Sequence, residues 1–193
     1  MTASNVGAAD DAAAVQPEKT GLRRCLRKRE SWPRYWGKAL GILAVLLLCA
    51  AAFATRFRIM IDPQVVRCIP GYVVYLVDLH DRAPVRDGLY AFRSKDLSPR
   101  YAEGTKMMKV LRAMPGDLVE VRDNDQVFIN GVAKAWGLPH AQALGQPASH
   151  FHGKAILGEN QYWALGTSTQ SFDSRYWGAI RREDIFGRGY PLF

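Results

Sequence analysis

Two stretches, Lys109-Val-Leu-Arg-Ala-Met-Pro-Gly-Asp117 and Gln170-Ser-Phe-Asp-Ser-Arg-Tyr-Trp-Gly178, decide the interpretation of this 193-residue sequence. Residues 106–113 form a run in which alternate side chains share one face of a strand. On its face Lys109 is the only charge, since the other members are Met107, Leu111 and Ala113. Burial there disfavours the ammonium form, which makes this lysine a candidate general base. The alternative is a strand lysine whose amine reaches water.

Together the two stretches resemble the most recognisable blocks of the bacterial type I signal peptidases, which are membrane-anchored serine/lysine endopeptidases. The resemblance implies that Lys109 is the catalytic lysine and that Ser171 hydrogen-bonds and orients it. It also implies that Asp173 and Arg175 form a support pair bracing the loop around the active site. The fold implied is a mainly β, antiparallel catalytic domain on one N-terminal transmembrane helix.

A candidate nucleophile lies in Asp62-Pro-Gln-Val-Val-Arg-Cys-Ile-Pro-Gly71. This segment resembles the nucleophile region of the conjugative-transfer (TraF-type) branch of those peptidases, which has a Ser-x-Pro core where this chain has Cys68-Ile69-Pro70. A thiol loses its proton more easily than a hydroxyl and attacks carbonyl carbon. We therefore expect Cys68 to be the nucleophile and Lys109 its proton shuttle. The alternatives are a cysteine that only fills space, or a decayed site.

One position departs from the family pattern. Many members have a hydroxyl residue two positions before the nucleophile, where it helps to bind the oxyanion. Here that position is Val66, which cannot donate a hydrogen bond. The backbone N–H of Cys68 is one available donor, and the second donor is not identified by the sequence.

A membrane anchor is predicted at residues 39–55, seventeen residues without a charge. This length is at the lower limit of the roughly 17–25 residues that a spanning helix needs. Residues 1–38 contain eight Lys or Arg and four acids, half of the net charge of +8. The positive-inside rule places this arm in the cytoplasm and residues 56–193 in the periplasm. A cleaved signal peptide is the alternative, and the long arm and long apolar run disfavour it.

Three segments follow from this reading: a partly disordered basic cytoplasmic arm (1–38), a transmembrane helix (39–55) and a periplasmic peptidase-like domain (56–193). A short basic helix is predicted at residues 21–36. The domain should be mostly strands, and residues 123–125 should turn a hairpin. Residues 133–155, rich in turn residues, are expected to be a surface insertion. The predicted strands are 72–77, 89–92, 106–113, 118–122, 126–130 and 162–165.

Other chemistries receive little support. His150 and His152 could approach each other, but no carboxylate or cysteine stands at ligand spacing, so a surface loop is expected rather than a metal site. No phosphate-binding loop, dinucleotide fingerprint or cysteine-pair motif occurs, and we expect no cofactor. The basic arm precedes an apolar run, which favours a topology signal over nucleic-acid binding.

The expected function is an inner-membrane endopeptidase that removes leader peptides from exported proteins through an acyl-enzyme. The TraF-type resemblance implies a pilin-like precursor of a conjugation system as substrate and partner, beside the lipid bilayer. Two alternatives are a catalytically inactive relative that acts as a scaffold, and a self-cleaving repressor-type Ser/Lys protease. The latter needs a DNA-binding amino domain, which a 38-residue arm before an anchor disfavours.

Overall fold

A computed structural model of the chain describes residues 31–95, 97 and 100–193. The chain divides into two compact units, one ending at Leu47 and the other running from Leu48 to Phe193. The predicted disordered segment (1–20) and most of the predicted basic helix (21–36) lie outside the described residues.

A single long helix, α1 (Trp32–Arg56), opens the described chain. Ser31 precedes its first turn, and the Ser31 carbonyl accepts hydrogen bonds from the N–H groups of Arg34 and Tyr35. Pro33 fits in the first turn, where its missing N–H would have had no helical partner. The helix therefore starts before the predicted span 39–55 and contains it. Its length and mean hydropathy of 2.2 suit a membrane span.

Most of the second unit is built on a seven-stranded sheet in the order β1-β2-β11-β3-β4-β9-β10. All its pairings are antiparallel. The sequence analysis predicted β2, β3, β4 and β9 but missed the other three strands. The strands of this sheet are β1 (Phe57–Ile61), β2 (Val74–Asp78), β3 (Leu89–Arg93), β4 (Lys106–Ala113), β9 (Gln161–Leu165), β10 (Ile180–Arg181) and β11 (Ile185–Pro191).

A smaller sheet has the order β7-β6-β5-β8 and is also antiparallel. The predicted hairpin is present as β5 and β6. The prediction that residues 133–155 form a surface insertion is wrong, because both edge strands of this sheet come from that region. These two edges are exposed and lack alternating burial, which hid them in the sequence. The strands are β5 (Leu118–Val121), β6 (Gln126–Ile129), β7 (Val132–Trp136) and β8 (Gly153–Ile156).

Each sheet has its own apolar core. The large sheet buries Tyr90, Phe92 and Leu111 with the half-buried Trp177 packed against them. The small sheet buries Val119, Val127 and neighbouring residues, with Tyr176 packed at its margin. A short helix, α2 (Ser174–Trp177), therefore contributes one aromatic ring to each core.

The turn after β4 is fixed by Asp117. Its carboxylate accepts hydrogen bonds from the Met114 N–H (2.6 Å) and the Asn130 side-chain amide (2.7 Å), and it pairs with Arg86 at 2.7 Å. The Arg86 guanidinium lowers the pKa of this carboxyl from 3.8 to about 2, against the opposing effect of burial. Asp117 thus ties the end of the lysine strand to the small sheet.

We predict that Asp117→Asn destabilises the fold in a pH-dependent way. A carboxyl with a lowered pKa in the folded state stabilises the fold above its ordinary pKa, and this stabilisation is lost as the pH falls from about 4 to about 2. The variant should lose about 1–3 kcal/mol at pH 7, and the difference from wild type should shrink towards pH 2. Urea unfolding of the detergent-solubilised chain at several pH values measures this, with the exposed Glu159→Gln as control. A loss that is equal at all pH values would contradict it.

Candidate active site

Lys109 occupies a buried position on β4. Burial alternates along the second half of this strand as predicted, with Lys109, Leu111 and Ala113 buried and the residues between them half-buried. The lysine side chain is only 4% exposed. Within the described chain, no hydrogen bond or ion pair involves its amine. The lysine is thus held in an enclosed position on β4 without an acidic partner among the described residues.

Cys68 lies in the loop that joins β1 to β2. Its carbonyl oxygen accepts hydrogen bonds from the N–H groups of Thr167 (2.9 Å) and Ser168 (3.2 Å), which follow β9. The loop of the cysteine is therefore attached to the loop that carries the second sequence block. Its thiol donates to the Gln64 side-chain oxygen at 3.8 Å, a weak sulfur contact.

Cys68 and Lys109 line one cavity of about 150 Å³. They come from different segments, one from the β1–β2 loop and one from β4. The lining is mainly apolar, and the aromatic rings of Tyr101 and Phe172 close part of the wall. The remaining lining residues are Met60, Ile61, Asp62, Pro63, Gln64, Ile69, Tyr75, Thr105, Lys106, Met107 and Met108.

Behind the cavity, Gly166 brings the two loops into close contact. A β-carbon at this position would lie 2.1 Å from Ser171 Oγ and 2.8 Å from the Cys68 carbonyl oxygen. The N–H of Gly166 donates to Asp173 at 3.0 Å. Only glycine leaves space for both neighbours.

Ser171 is fully buried beside this glycine. Its hydroxyl oxygen has no hydrogen-bond partner among the described residues. The resemblance assigned it to orient Lys109, and that role stays a prediction. Its backbone carbonyl, in contrast, accepts a hydrogen bond from Arg175 at 2.8 Å.

Asp173 and Arg175 form a buried ion pair, with Nε and Oδ1 2.8 Å apart and both side chains almost fully enclosed. The guanidinium also donates to backbone carbonyls on both sides of the site. These acceptors are the carbonyls of Trp136, Gly137, Thr169 and Ser171. The pair thus holds the loop of Ser171 against the end of β7.

Comparison with known proteins identifies the family. The model of the family described as "Signal peptidase, peptidase S26" matches residues 34–192. The chain belongs to the signal peptidase family.

Two relatives illustrate the degree of similarity. A protein described as "Probable signal peptidase I-2" from Synechocystis sp. is 24% identical over 181 residues, covering 89% of this chain and 80% of its own. The crystal structure of a signal peptidase I from Enterococcus faecalis V583 is 28% identical, with a TM-score of 0.35, and the match covers 55% of this chain and 96% of that one.

Sequence reasoning about this signal peptidase missed the aromatic wall of the cavity. Phe172 stacks between Tyr101 and Tyr176, with ring centroids 5.6 and 5.3 Å away. His140 contacts the rings of Phe172 and Tyr176, and its Nε2 lies 2.8 Å from the carbonyl oxygen of Gln170. Phe172 lies within the second sequence block, so its position there was the available signal. Tyr101 had no such signal.

Spacing along the sequence did not predict the carboxylate neighbour of His152. His152 Nε2 lies 2.7 Å from an Asp125 carboxylate oxygen. This contact joins the residue that precedes β8 to the turn of the β5–β6 hairpin. Spacing along the sequence does not reveal this carboxylate neighbour, because the two residues are 27 positions apart. Among the described residues, no group of three or more metal-ligating side chains occurs.

We predict that Gly166→Ala distorts the active site. The added methyl group would have to displace the Ser171 hydroxyl or the Cys68 carbonyl, and overpacking of this kind costs about 1–3 kcal/mol. Thermal unfolding of the solubilised chain and proteolytic activity on a precursor should both fall. Gly158→Ala is the matched control, since its nearest neighbour is the flexible end of Gln161 at 3.4 Å. Wild-type stability in Gly166→Ala would contradict the prediction.

We also predict that Arg175→Met is strongly destabilising. It leaves the Asp173 carboxylate buried without its partner, which typically costs about 3–5 kcal/mol. Urea unfolding measures the loss, with the exposed Arg58→Met as control. A loss comparable to that of the control would show that the pair is not required.

Proposed function

We propose that this signal peptidase is a membrane-anchored endopeptidase that cleaves leader peptides through a Cys68/Lys109 dyad and an acyl-enzyme. The observation that carries the proposal is the cavity that both residues line, Cys68 with its thiol side chain and Lys109 as a buried lysine. A serine/lysine enzyme needs the same pair of groups with oxygen in place of sulfur.

The surroundings support this assignment of roles. An amine in an apolar setting with no carboxylate partner among the described residues suits a proton acceptor. The cysteine is half-buried and reaches the cavity, as a nucleophile must. Its backbone is fixed by Thr167 and Ser168, so the sulfur sits on a supported loop rather than a free one.

The chemical steps follow from the two groups. Lys109 takes the thiol proton while sulfur attacks the scissile carbonyl carbon, and the C=O electron pair moves to oxygen. The intermediate collapses, the C–N bond breaks, and the leaving amine takes the proton from the Lys109 ammonium. Water then attacks the thioester with Lys109 as base, and the C–S bond breaks to restore the thiol.

The substrate is a membrane-associated precursor with a cleavable leader. The segment around Cys68 supports a place in the conjugative-transfer (TraF-type) branch, and hence a pilin-like precursor with small residues before the scissile bond. Helix α1 then serves as a single inner-membrane anchor with the catalytic domain in the periplasm. The nucleophile loop begins a few residues after Arg56, near the surface where such a precursor would emerge.

We predict that Cys68→Ala and Lys109→Met both abolish cleavage of such a precursor by the detergent-solubilised protein. Loss of either group removes the nucleophile or its base, and rates should fall by at least about 100-fold. Product mass is the measurement. It distinguishes hydrolysis from joining of the new carboxyl end to the amino end of the same chain, which gives a product lighter by one water. Cys49→Ala and the exposed Lys134→Met are the matched controls.

Iodoacetamide provides a second arm. Inactivation with labelling confined to Cys68 supports the dyad. Full activity of Cys68→Ala would exclude the cysteine as nucleophile. If the wild type does not cleave the precursor, and Lys109→Ala binds it as the wild type does, an inactive scaffold is favoured instead.

A further inference from the structure

We propose that the side-chain amide of Gln64 is the second donor that stabilises the oxyanion. This inference rests on the proposed chemistry of Cys68 and assigns a role that Val66 cannot fill. Val66 is exposed and carries no donor, whereas Gln64 lines the cavity beside the sulfur.

Gln64 lies next to the sulfur of Cys68 on a fixed turn. Gln64 Oε1 lies 3.8 Å from Cys68 Sγ, and this is the only hydrogen-bond contact of the thiol among the described residues. The backbone of this glutamine is fixed, because its N–H donates to the Asp62 side chain at 3.1 Å. Asp62 in turn donates its own N–H to the Val73 carbonyl at 2.9 Å, and Pro63 restricts the backbone between them. The amide is therefore presented from an anchored turn.

The chemistry of the amide supports the same role. A glutamine amide carries an acceptor and two donors, and rotation of the terminal group exchanges them. It accepts from the thiol while sulfur holds its proton. After attack, negative charge forms on an oxygen bonded to the same carbon as the sulfur. A group in contact with Sγ is then within reach of that oxygen, and the amide N–H can donate to it.

The other donor needed for the oxyanion is a backbone N–H. The backbone N–H of Cys68 donates to no acceptor within the described part of the chain. Oxyanion sites commonly combine a backbone N–H with a side-chain donor. Gln64 and the Cys68 N–H belong to the same loop. Together they supply the two donors that we propose for the oxyanion.

The first test measures turnover. Gln64→Met keeps the length of the side chain and removes the amide. With an internally quenched peptide carrying alanine at the first and third positions before the scissile bond, kcat should fall by about 100- to 1000-fold with little change in KM. Alkylation of Cys68 by iodoacetamide forms no oxyanion, so its rate should stay within about twofold of wild type. Gln146→Met, an exposed glutamine elsewhere, is the matched control.

The second test needs no turnover. A peptide aldehyde of the same sequence adds to the thiol, with the C–S bond forming and the proton passing to oxygen, while the matching alcohol cannot. The aldehyde should bind wild type more tightly than the alcohol, and Gln64→Met should lose most of that advantage. Folding is checked by thermal unfolding of the same samples.

The outcomes separate the two proposals. If wild type cleaves, Cys68→Ala is inactive and Gln64→Met keeps both kcat and the aldehyde advantage, the role of Gln64 is overturned and the dyad stands. If alkylation falls in parallel with cleavage, Gln64 acts on the thiol rather than the oxyanion, and the proposal is again overturned. If wild type neither cleaves nor prefers the aldehyde, the proposed function fails and the inference fails with it.

Discussion

The buried Asp173–Arg175 pair is the interaction on which the architecture of the site depends. One carboxylate holds Gly166, and one guanidinium holds the carbonyls of Thr169 and Ser171 as well as those at the end of β7. Because Gly166 lies against the Cys68 carbonyl, the same pair also supports the β1–β2 loop indirectly, through this glycine. Burying two charges is costly, and the cost is offset only when every donor and acceptor is satisfied. The many backbone acceptors around Arg175 meet that condition.

Lys109 presents the opposite arrangement. Its neighbours on β4 are apolar, and no described carboxylate pairs with its amine. Arg175 is buried against a carboxylate partner, whereas Lys109 is buried without one among the described residues. Arg175 therefore holds the scaffold, whereas Lys109, unpaired in the described part of the chain, is available for the proton transfer that we propose for it.

The predictable part of the fold was the part in which one face of a strand is buried. Strand β4 was predicted with its observed bounds because burial alternates along it, and the β5–β6 hairpin followed from its turn residues. Strand β11 was missed because Gly187 and Gly189 interrupt its pattern. Their lack of side chains is a packing requirement, since a β-carbon at Gly187 would lie 2.6 Å from a Val77 methyl group. Edge strand β8 was missed because all four of its residues are exposed.

The site shows the same division between pattern and contact. Lys109, Ser171, Asp173 and Arg175 lie within recognisable blocks, so the sequence could nominate them. Gln64 has no motif, and its relation to Cys68 exists only because an aspartate-anchored turn brings it back to the sulfur. A nucleophile that changes from oxygen to sulfur needs less help from its base, since the thiol loses its proton more readily. In either case the attack places negative charge on the carbonyl oxygen of the substrate, and hydrogen-bond donors are needed to stabilise that charge. Under the proposed chemistry, the constraint on this active site therefore lies less in activating the thiol than in supplying a second donor, the role that we propose for Gln64.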